Sequence, residues 1–562
     1  MKKFASIILL FCSIVNLAIA NIHDPFQTKL NYYFSHFSHK HLNKFINEMP
    51  KGGDLHNHFS GAAYPQNLIK YAKADYSQIN WCIKKTTKQN NSYKVYNADT
   101  KKDCLNDNGH LLRYVNTHSK LYHNLIASWS MKGFSYFPPE FGHEHFFSAF
   151  GKFGALAGHA PYKPIMLADL MRQASHEHIH YIEFMISPGQ SKFLPNSTTS
   201  FTKKYLDKLP NNLSRLDILK AISILDTNKF SSDVVKANII EPTKIMLAKA
   251  KKILRCGTLS AEPACKVLIR FIYQVKRTAP NKEILTQVYA GMLANTLSNL
   301  FVGLNLVAPE DSEIALSNYT AQMKIIGDIR RKFPKVLISL HAGELTSYLV
   351  NYKINYLKSH IYQALTIANA NRIGHGVNVF TEYTAGRNIF DIMRKRNDLI
   401  EINLTSNQDI LGVCDGFSYC ISPGPKWPPY NHPFVAYLKA GVPVALSTDD
   451  QGILQNDLDT EYQKAVNRYH LTYDTLKNID RNSVAYSFLP GKQLWKNAYH
   501  GYNKNDWNYG NFVNACSNDN PYNNDSVSKQ CSTFLENNLK AKIEWALEVD
   551  FARFEKKQLS EH

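Results

Sequence analysis

Val336-Leu337-Ile338-Ser339-Leu340-His341-Ala342-Gly343-Glu344 is an apolar run that stops at a histidine, a glycine and an acid. Such a run is too short for a helix, and one that ends at a turn residue reads as a strand buried on both faces. Working outward, similar runs recur at Leu55 to Phe59, Tyr181 to Ile186, Val267 to Val275, Phe301 to Val307, Arg372 to His375, Leu399 to Leu404 and Val442 to Ser447. Stretches with helical character separate most of them. Strands alternating with helices imply parallel pairing and right-handed crossovers. Counting the first run, eight such units predict an α/β fold, a closed (β/α)8 TIM barrel over residues 51–500, rather than an open sheet.

The chain has 562 residues, 44% hydrophobic and 20% charged, which excludes wholesale disorder and a collagen-like fibre. Lys2 and Lys3, the apolar stretch from Phe4 and the Ala18-Ile19-Ala20 site predict a signal peptide over 1–20, so a secreted or periplasmic location. No later stretch predicts a transmembrane anchor. Lys and Arg number 65 against 46 Asp and Glu, a net charge of +19. That excess fits solubility, or weak binding to an anionic surface. The basic residues are scattered and predict no specific nucleic-acid platform. Nine cysteines include Cys12 of the leader. The other eight fall into neighbouring pairs, Cys82 with Cys104, Cys256 with Cys265, Cys414 with Cys420 and Cys516 with Cys531, as expected for disulfides in an oxidising compartment. Cys82 and Cys104 lie in a polar excursion over about 75–130, read as a disulfide-closed insertion after the first barrel strand. Residues 21–50 read as an added N-terminal helical segment and the expected interface of a homodimer. Residues 501–562 read as a disulfide-pinned loop followed by an amphipathic helix carrying Leu535, Leu539, Ile543, Leu547, Phe551 and Phe554, packed back on the barrel.

Polar clusters sit where the predicted strands end, which is the active face of such a barrel. His56 and His58 share one side of a strand by its two-residue alternation. His341 ends the strand quoted first, with Glu344 just beyond it. His375 lies between Gly374 and Gly376, and Asp449-Asp450 follow the last run. Each cluster alone also has a bland reading, as unrelated histidines or a structural acid at a strand end. Together His56, His58, His341 and Asp449 make a nitrogen and oxygen donor set suited to one catalytic zinc, leaving Glu344 and His375 to move protons.

Met49-Pro50-Lys51-Gly52-Gly53-Asp54-Leu55-His56-Asn57-His58-Phe59-Ser60-Gly61 resembles the first-strand signature of the adenosine deaminase family. Ser339 to Glu344, Arg372 to Gly376, Ile402 to Asn407 and Leu446 to Asp450 are similar to its other signatures, in the family's order. The leader, the insertion, and Gly142-His143-Glu144-His145-Phe146-Phe147 resemble the secreted branch, the adenosine deaminase-related growth factors. The resemblance implies one Zn²⁺ per chain on His56, His58, His341 and Asp449. It implies that Glu344 protonates purine N1, that His375 orients the attacking water and helps take its proton, and that Asp450 hydrogen-bonds N7. Glu183, at the second barrel strand, is the expected ribose contact, or else part of a salt bridge. The implied activity is hydrolysis of adenosine, and of 2'-deoxyadenosine, to the inosine product and ammonia.

Three positions depart from the family's pattern. Ser60 replaces an Asp that meets the ribose, Asn305 replaces an Asp, and Ala308 replaces a purine-contacting Gly, although the Ala308 amide remains available as a donor. A two-metal amidohydrolase would need a bridging Lys on the fourth barrel strand, and Phe301 to Val307 contains none. The cytidine-type deaminases need Pro-Cys-x-x-Cys, which is absent. The remaining alternatives are an AMP or other purine aminohydrolase on the same barrel, and a secreted signalling protein without catalysis.

Overall fold

The computed structural model describes residues 25–75, 79–86, 92–134, 139–192, 200–227, 230–413, 432–496, 511–522 and 527–561. Their strands, in chain order, are β1 (Lys51–His58), β2 (Asn80–Lys85), β3 (Tyr93–Ala98), β4 (His110–Leu111), β5 (Ile179–Ile186), β6 (Leu268–Lys276), β7 (Phe301–Val307), β8 (Leu337–Ala342), β9 (Arg372–His375), β10 (Leu399–Ile402) and β11 (Val444–Leu446). One parallel sheet has the order β1-β5-β6-β7-β8-β9-β10-β11. Its ends meet. The Asp449 amide, just past β11, donates to the His56 carbonyl at 2.8 Å, and the His58 amide donates to the Asp449 carbonyl at 3.1 Å. The sheet is therefore a closed eight-stranded barrel, and every predicted apolar run supplies one of its strands. One boundary differs. The run Leu399 to Leu404 leaves the sheet at Ile402, because Asn403 opens the helix Leu404–Leu411.

Helices shield the strands from outside, so both faces of the sheet are dry and the runs stay apolar. The helix Asn281–Leu297, for example, buries thirteen of its residues against the barrel and its neighbours. Phe488 plugs the end of the barrel where the strands begin. Its ring stacks 3.7 Å from the guanidinium of Arg372, the first residue of β9. A Cβ on Gly303 would stand 2.5 Å from that ring, so β7 has room there only for glycine.

The insertion is a small antiparallel sheet of order β3-β2-β4. The Cys82–Cys104 disulfide ties β2 to the helix Lys101–Asn106. Cys256–Cys265 and Cys516–Cys531 are also bonded, as neighbouring pairs. Cys414 and Cys420, and the leader 1–20, lie outside the described residues. The N-terminal segment is helical over Pro25–His36 and His39–Glu48, with the Ser38 hydroxyl accepting from the His41 amide. Its apolar side is used within the same chain, where Phe45 packs against Tyr473 and Phe554 at ring-centroid distances of 5.2 and 4.7 Å. Phe554 belongs to the helix Leu539–Glu561, which packs against β1 and β5; the expected single helix is broken at Asn538, and Leu535 lies in the separate helix Lys529–Asn537. Among the described residues no helix is long and apolar enough to cross a membrane.

Candidate active site

The four expected metal donors converge where the strands end. His56 Nε2 and His58 Nε2 lie 3.0 and 3.1 Å from His341 Nε2. Asp449 Oδ1 lies 3.7 Å from His56 Nε2 and 3.3 Å from His58 Nε2. Four ligands held tetrahedrally at zinc's usual bond lengths would stand about 3.3–3.5 Å apart.

The surroundings explain why these nitrogens face one another. His56 Nδ1 is 2.7 Å from Glu401 Oε2, His58 Nδ1 is 3.0 Å from Gln274 Oε1, and His341 Nδ1 is 2.8 Å from Asn305 Oδ1. Each Nδ1 thus donates its proton to an oxygen, which leaves a lone pair on each Nε2. Three lone pairs and a carboxylate aimed at one point repel each other unless a cation sits among them. The donor set therefore fits a divalent ion. Burial, followed by the neighbouring rings, holds His341 well below the usual histidine range. His56 is raised instead, since the hydrogen bond and charge of Glu401 outweigh its burial.

Asn305 also accepts from the His341 amide at 3.3 Å, so its carbonyl oxygen faces the ring. It is fully buried and supports a ligand, and does not face a substrate. Ser339 donates to Glu401 at 2.8 Å, and Arg372 pairs with the same carboxylate at 2.6 Å. The turn that carries Asp449 is fixed from β1. Asp54 accepts from the Thr448 hydroxyl at 2.6 Å and from Asn57 at 3.0 Å, and Asn57 also donates to Gln451 at 2.8 Å.

His375 Nε2 faces the same point, 3.8 Å from Glu344 Oε1 and 4.0 Å from Asp449 Oδ2. It could be counted with His56, His341 and Asp449 as a ligand, since all four offer atoms within 4.8 Å of one another. Its hydrogen bonding differs from theirs. His375 Nδ1 meets the amide nitrogens of Asn407 at 2.9 Å and Asn403 at 3.4 Å, and no oxygen. A ring that accepts at Nδ1 keeps its proton on Nε2 when neutral and has no lone pair there for an ion. Burial pushes His375 down to about 3, so the ring is neutral.

Glu344 follows β8 with its backbone held from below. The Glu310 carboxylate accepts from the Gly343 and Glu344 amides at 3.1 and 3.0 Å and from His360 Nδ1 at 2.6 Å. Burial, then the charges of Asp449 and Glu310, raise Glu344 well above the usual carboxylate range. Asp450 is raised as well, by burial and by Asp449 beside it, and its Oδ1 is buried with no hydrogen-bond partner. Both acids are therefore placed to hold a proton. Asp450 packs so tightly on Gly61 that a Cβ there would stand 1.6 Å from Oδ1. His375, Asp449 and Ala308 have φ of +68°, +63° and +83°. For an L-residue this conformation costs about 1–2 kcal/mol, and such strain concentrates at functional sites.

Two expectations need correction or refinement. Glu183 is not at the mouth. Its carboxylate accepts from Tyr181 Oη at 2.8 Å and from the Phe488 amide at 2.6 Å, and pairs with Arg372 at 2.5 Å. It is fully buried in the layer under the site, which gives the salt-bridge reading and leaves no oxygen for a ribose. Ala308 is half-buried one residue beyond β7, and its positive φ shows why glycine suits that place. Glu401, Gln274, Arg277 and Glu310 support the site without belonging to any of the sequence motifs that end the strands. Arg277 donates to the His341 carbonyl at 2.7 Å and lies 3.5 Å from Glu310.

Residues 234–497 match the family model for adenosine deaminase. The matched segment takes in His341, Glu344, His375, Asp449 and Asp450, and leaves out β1 with His56 and His58. Over 120 residues the chain is 32% identical to the N6-methyl-AMP deaminase of Danio rerio, covering 21% of this chain and 30% of that one. Over 188 residues it is 26% identical to an adenosine deaminase of Clostridium perfringens, covering 34% and 48%. The chain thus spans less than half the length of these curated relatives. Among solved structures, an adenine deaminase from Arthrobacter aurescens is 14% identical, over 78% of this chain and 94% of that one, with a TM-score of 0.46. An amidohydrolase from Burkholderia ambifaria with bound zinc is 12% identical, over 80% and 88%, with a TM-score of 0.43.

Proposed function

We propose that this protein is a zinc-dependent adenosine aminohydrolase, converting adenosine and 2'-deoxyadenosine to the corresponding inosine and ammonia. The reading is carried by one juxtaposition. A raised carboxylic acid, Glu344, lies 3.8 Å from His375 Nε2, beside the converging nitrogens of His56, His58 and His341 and the Asp449 carboxylate. The adenosine deaminase match over 234–497 supports the choice of substrate class.

His56, His58, His341 and Asp449 would hold the ion. A bound Zn²⁺ would supply a water activated near neutral pH. Glu344, protonated at rest, hands its proton to purine N1 and makes C6 more electrophilic. The carboxylate left behind is an acceptor in the same place, so one group serves as acid and then base. His375 orients the attacking oxygen through Nε2, 3.8 Å from Glu344 Oε1. Asp450, with its proton, donates to N7, and the Ala308 amide stands at the cleft rim for a further contact. The ribose contact is left to residues other than Glu183.

Export is part of the proposal. The positively charged apolar leader and the three disulfides support work in an oxidising compartment. N-terminal sequencing of the mature protein should begin at Asn21.

The deciding assay follows adenosine absorbance and ammonia release by purified protein, with and without chelator. Turnover that chelator abolishes and zinc restores is the expected result, and absence of ammonia with metal-loaded protein refutes the reading. Likeness to the fish N6-methyl-AMP deaminase favours a second reading, a nucleotide substrate. AMP or N6-methyl-AMP turned over faster than adenosine would select it.

A further inference from the structure

We propose that His432 and Asn407 are positioning residues that hold the proton of His375 on Nε2, facing the reacting atoms. Four groups form a chain in which each leaves the next a single choice. The Phe434 amide donates to His432 Nδ1 at 3.1 Å. A backbone N–H cannot accept, so His432 Nδ1 carries no proton. His432 is buried and pushed down to about 3, so its ring is neutral and its one proton sits on Nε2. Nε2 lies 2.9 Å from Asn407 Oδ1 and donates to it. That sets the orientation of the Asn407 amide, whose NH₂ then points at His375 Nδ1 at 2.9 Å. An amide NH₂ is also only a donor. His375 Nδ1 must accept, and the ring's proton is left on Nε2. Asn403 donates to the same Nδ1 at 3.4 Å and reinforces the choice.

The relay reverses the polarity found at the other three rings, where Nδ1 donates and Nε2 is bare. It therefore separates His375 from His56 and His341, whose ring centroids lie 4.9 and 5.0 Å from its own. It also corrects the expected role of His375. An Nε2–H donates a hydrogen bond to the attacking oxygen and holds one of its lone pairs, but cannot take its proton. The Glu344 carboxylate, 3.8 Å from that Nε2 and freed of its own proton at N1, is placed to accept it.

The functional half of this assignment rests on the deaminase reading, whereas the tautomer can be measured without substrate. Protein labelled with ¹⁵N in the histidine rings is examined by two-bond ¹H–¹⁵N correlation at pH 7, with His375 and His432 assigned by the signals missing in H375A and H432A. The expected wild-type pattern has Nδ1 bare and Nε2 protonated in both rings. Asn407→Asp keeps the shape but presents only acceptors. It should move the His375 proton to Nδ1 and lower kcat by about 10²-fold or more, with KM within about twofold of wild type and zinc content per chain unchanged. His432→Gln, which can still donate to Asn407, should retain the wild-type His375 pattern and most of kcat. A proton on His375 Nδ1 in the wild type overturns the relay. A reversed tautomer in Asn407→Asp with undiminished kcat overturns its role in the reaction. If the wild type releases no ammonia at all, the deaminase reading has failed while the spectra still report on the relay.

Discussion

Asn305→Ala tests the site through a residue that touches neither substrate nor ion. Asn305 Oδ1 accepts from His341 Nδ1 at 2.8 Å and from the His341 amide at 3.3 Å, and the residue is fully buried. Alanine removes both bonds and lets in no obvious replacement. Leaving a buried donor unpaired costs about 1–3 kcal/mol, so two of them should lower folding stability by about 2–6 kcal/mol. Losing the outer partner of a ligating histidine weakens metal binding by about 10–100-fold, since the ring is then free to turn and to change tautomer. Asn305→Asp restores an acceptor in the same place and should bring affinity back to within about tenfold of wild type. Zinc affinity is read by competition with a chromophoric chelator, at a protein concentration where thermal denaturation shows every variant folded. Wild-type affinity in Asn305→Ala, or equal weakness in both variants, would refute the argument that the Asn305 oxygen fixes His341.

Glu344→Gln keeps the hydrogen-bonding shape and loses the transferable proton. It should cost at least about 10²-fold in ammonia release while one zinc per chain remains on elemental analysis, and surviving turnover would remove Glu344 as the acid. Burial, then the charges of Asp457 and Asp459, push the Glu177 carboxyl up to about 8 from the usual 4.5. Its ionisation therefore opposes folding progressively as pH rises from 4.5 to 8. Glu177→Gln should have no effect on stability at pH 4 and add about 3 kcal/mol at pH 7, so denaturant midpoints that differ by the same amount at both pH values would contradict it. Cys516–Cys531 closes a loop with a separation of 15 residues. Replacing both by serine should cost about 3 kcal/mol, measured by urea titration, with zinc affinity unchanged because neither cysteine bonds to a donor residue or to the residues that hold the donor rings.

Much of the barrel was legible because a parallel strand covered on both faces has no polar alternation to keep. Each run stood out as an apolar block, and the polar residue ending it gave the site. The supporting residues carried a fainter signal in the same blocks. Gln274, Asn305, Ser339 and Glu401 each interrupt an apolar strand, and all four hold a ligand ring directly or through one bond. Glu183 interrupts its strand in the same way, and of its two readings, ribose contact or salt bridge, the salt bridge is the one formed. The two-residue period tells which side a strand residue faces but not its height in the barrel, and Glu183 lies level with Arg372, where β9 begins. His432 and Asn407 were harder to find. Twenty-four residues separate them, His432 is one of 22 histidines, and only the tertiary fold brings them together. The strain at Ala308 was visible only as a departure from glycine in a related pattern.

The barrel closes at Asn57 and Asp449, and the two amide bonds that close it belong to His56, His58 and Asp449 themselves. An ion gripping those side chains acts as a clasp on the join between the cylinder's first and last staves, beside the bonds that Asp54 and Asn57 make to Thr448 and Gln451. Occupancy and closure then draw on the same free energy. In the stripped protein, amide deuterium uptake at His58 and Asp449 should outpace that of β6 or β7. Loading the ion should slow it there first, so that the place where the wall is thinnest in hydrogen bonds becomes the last to open.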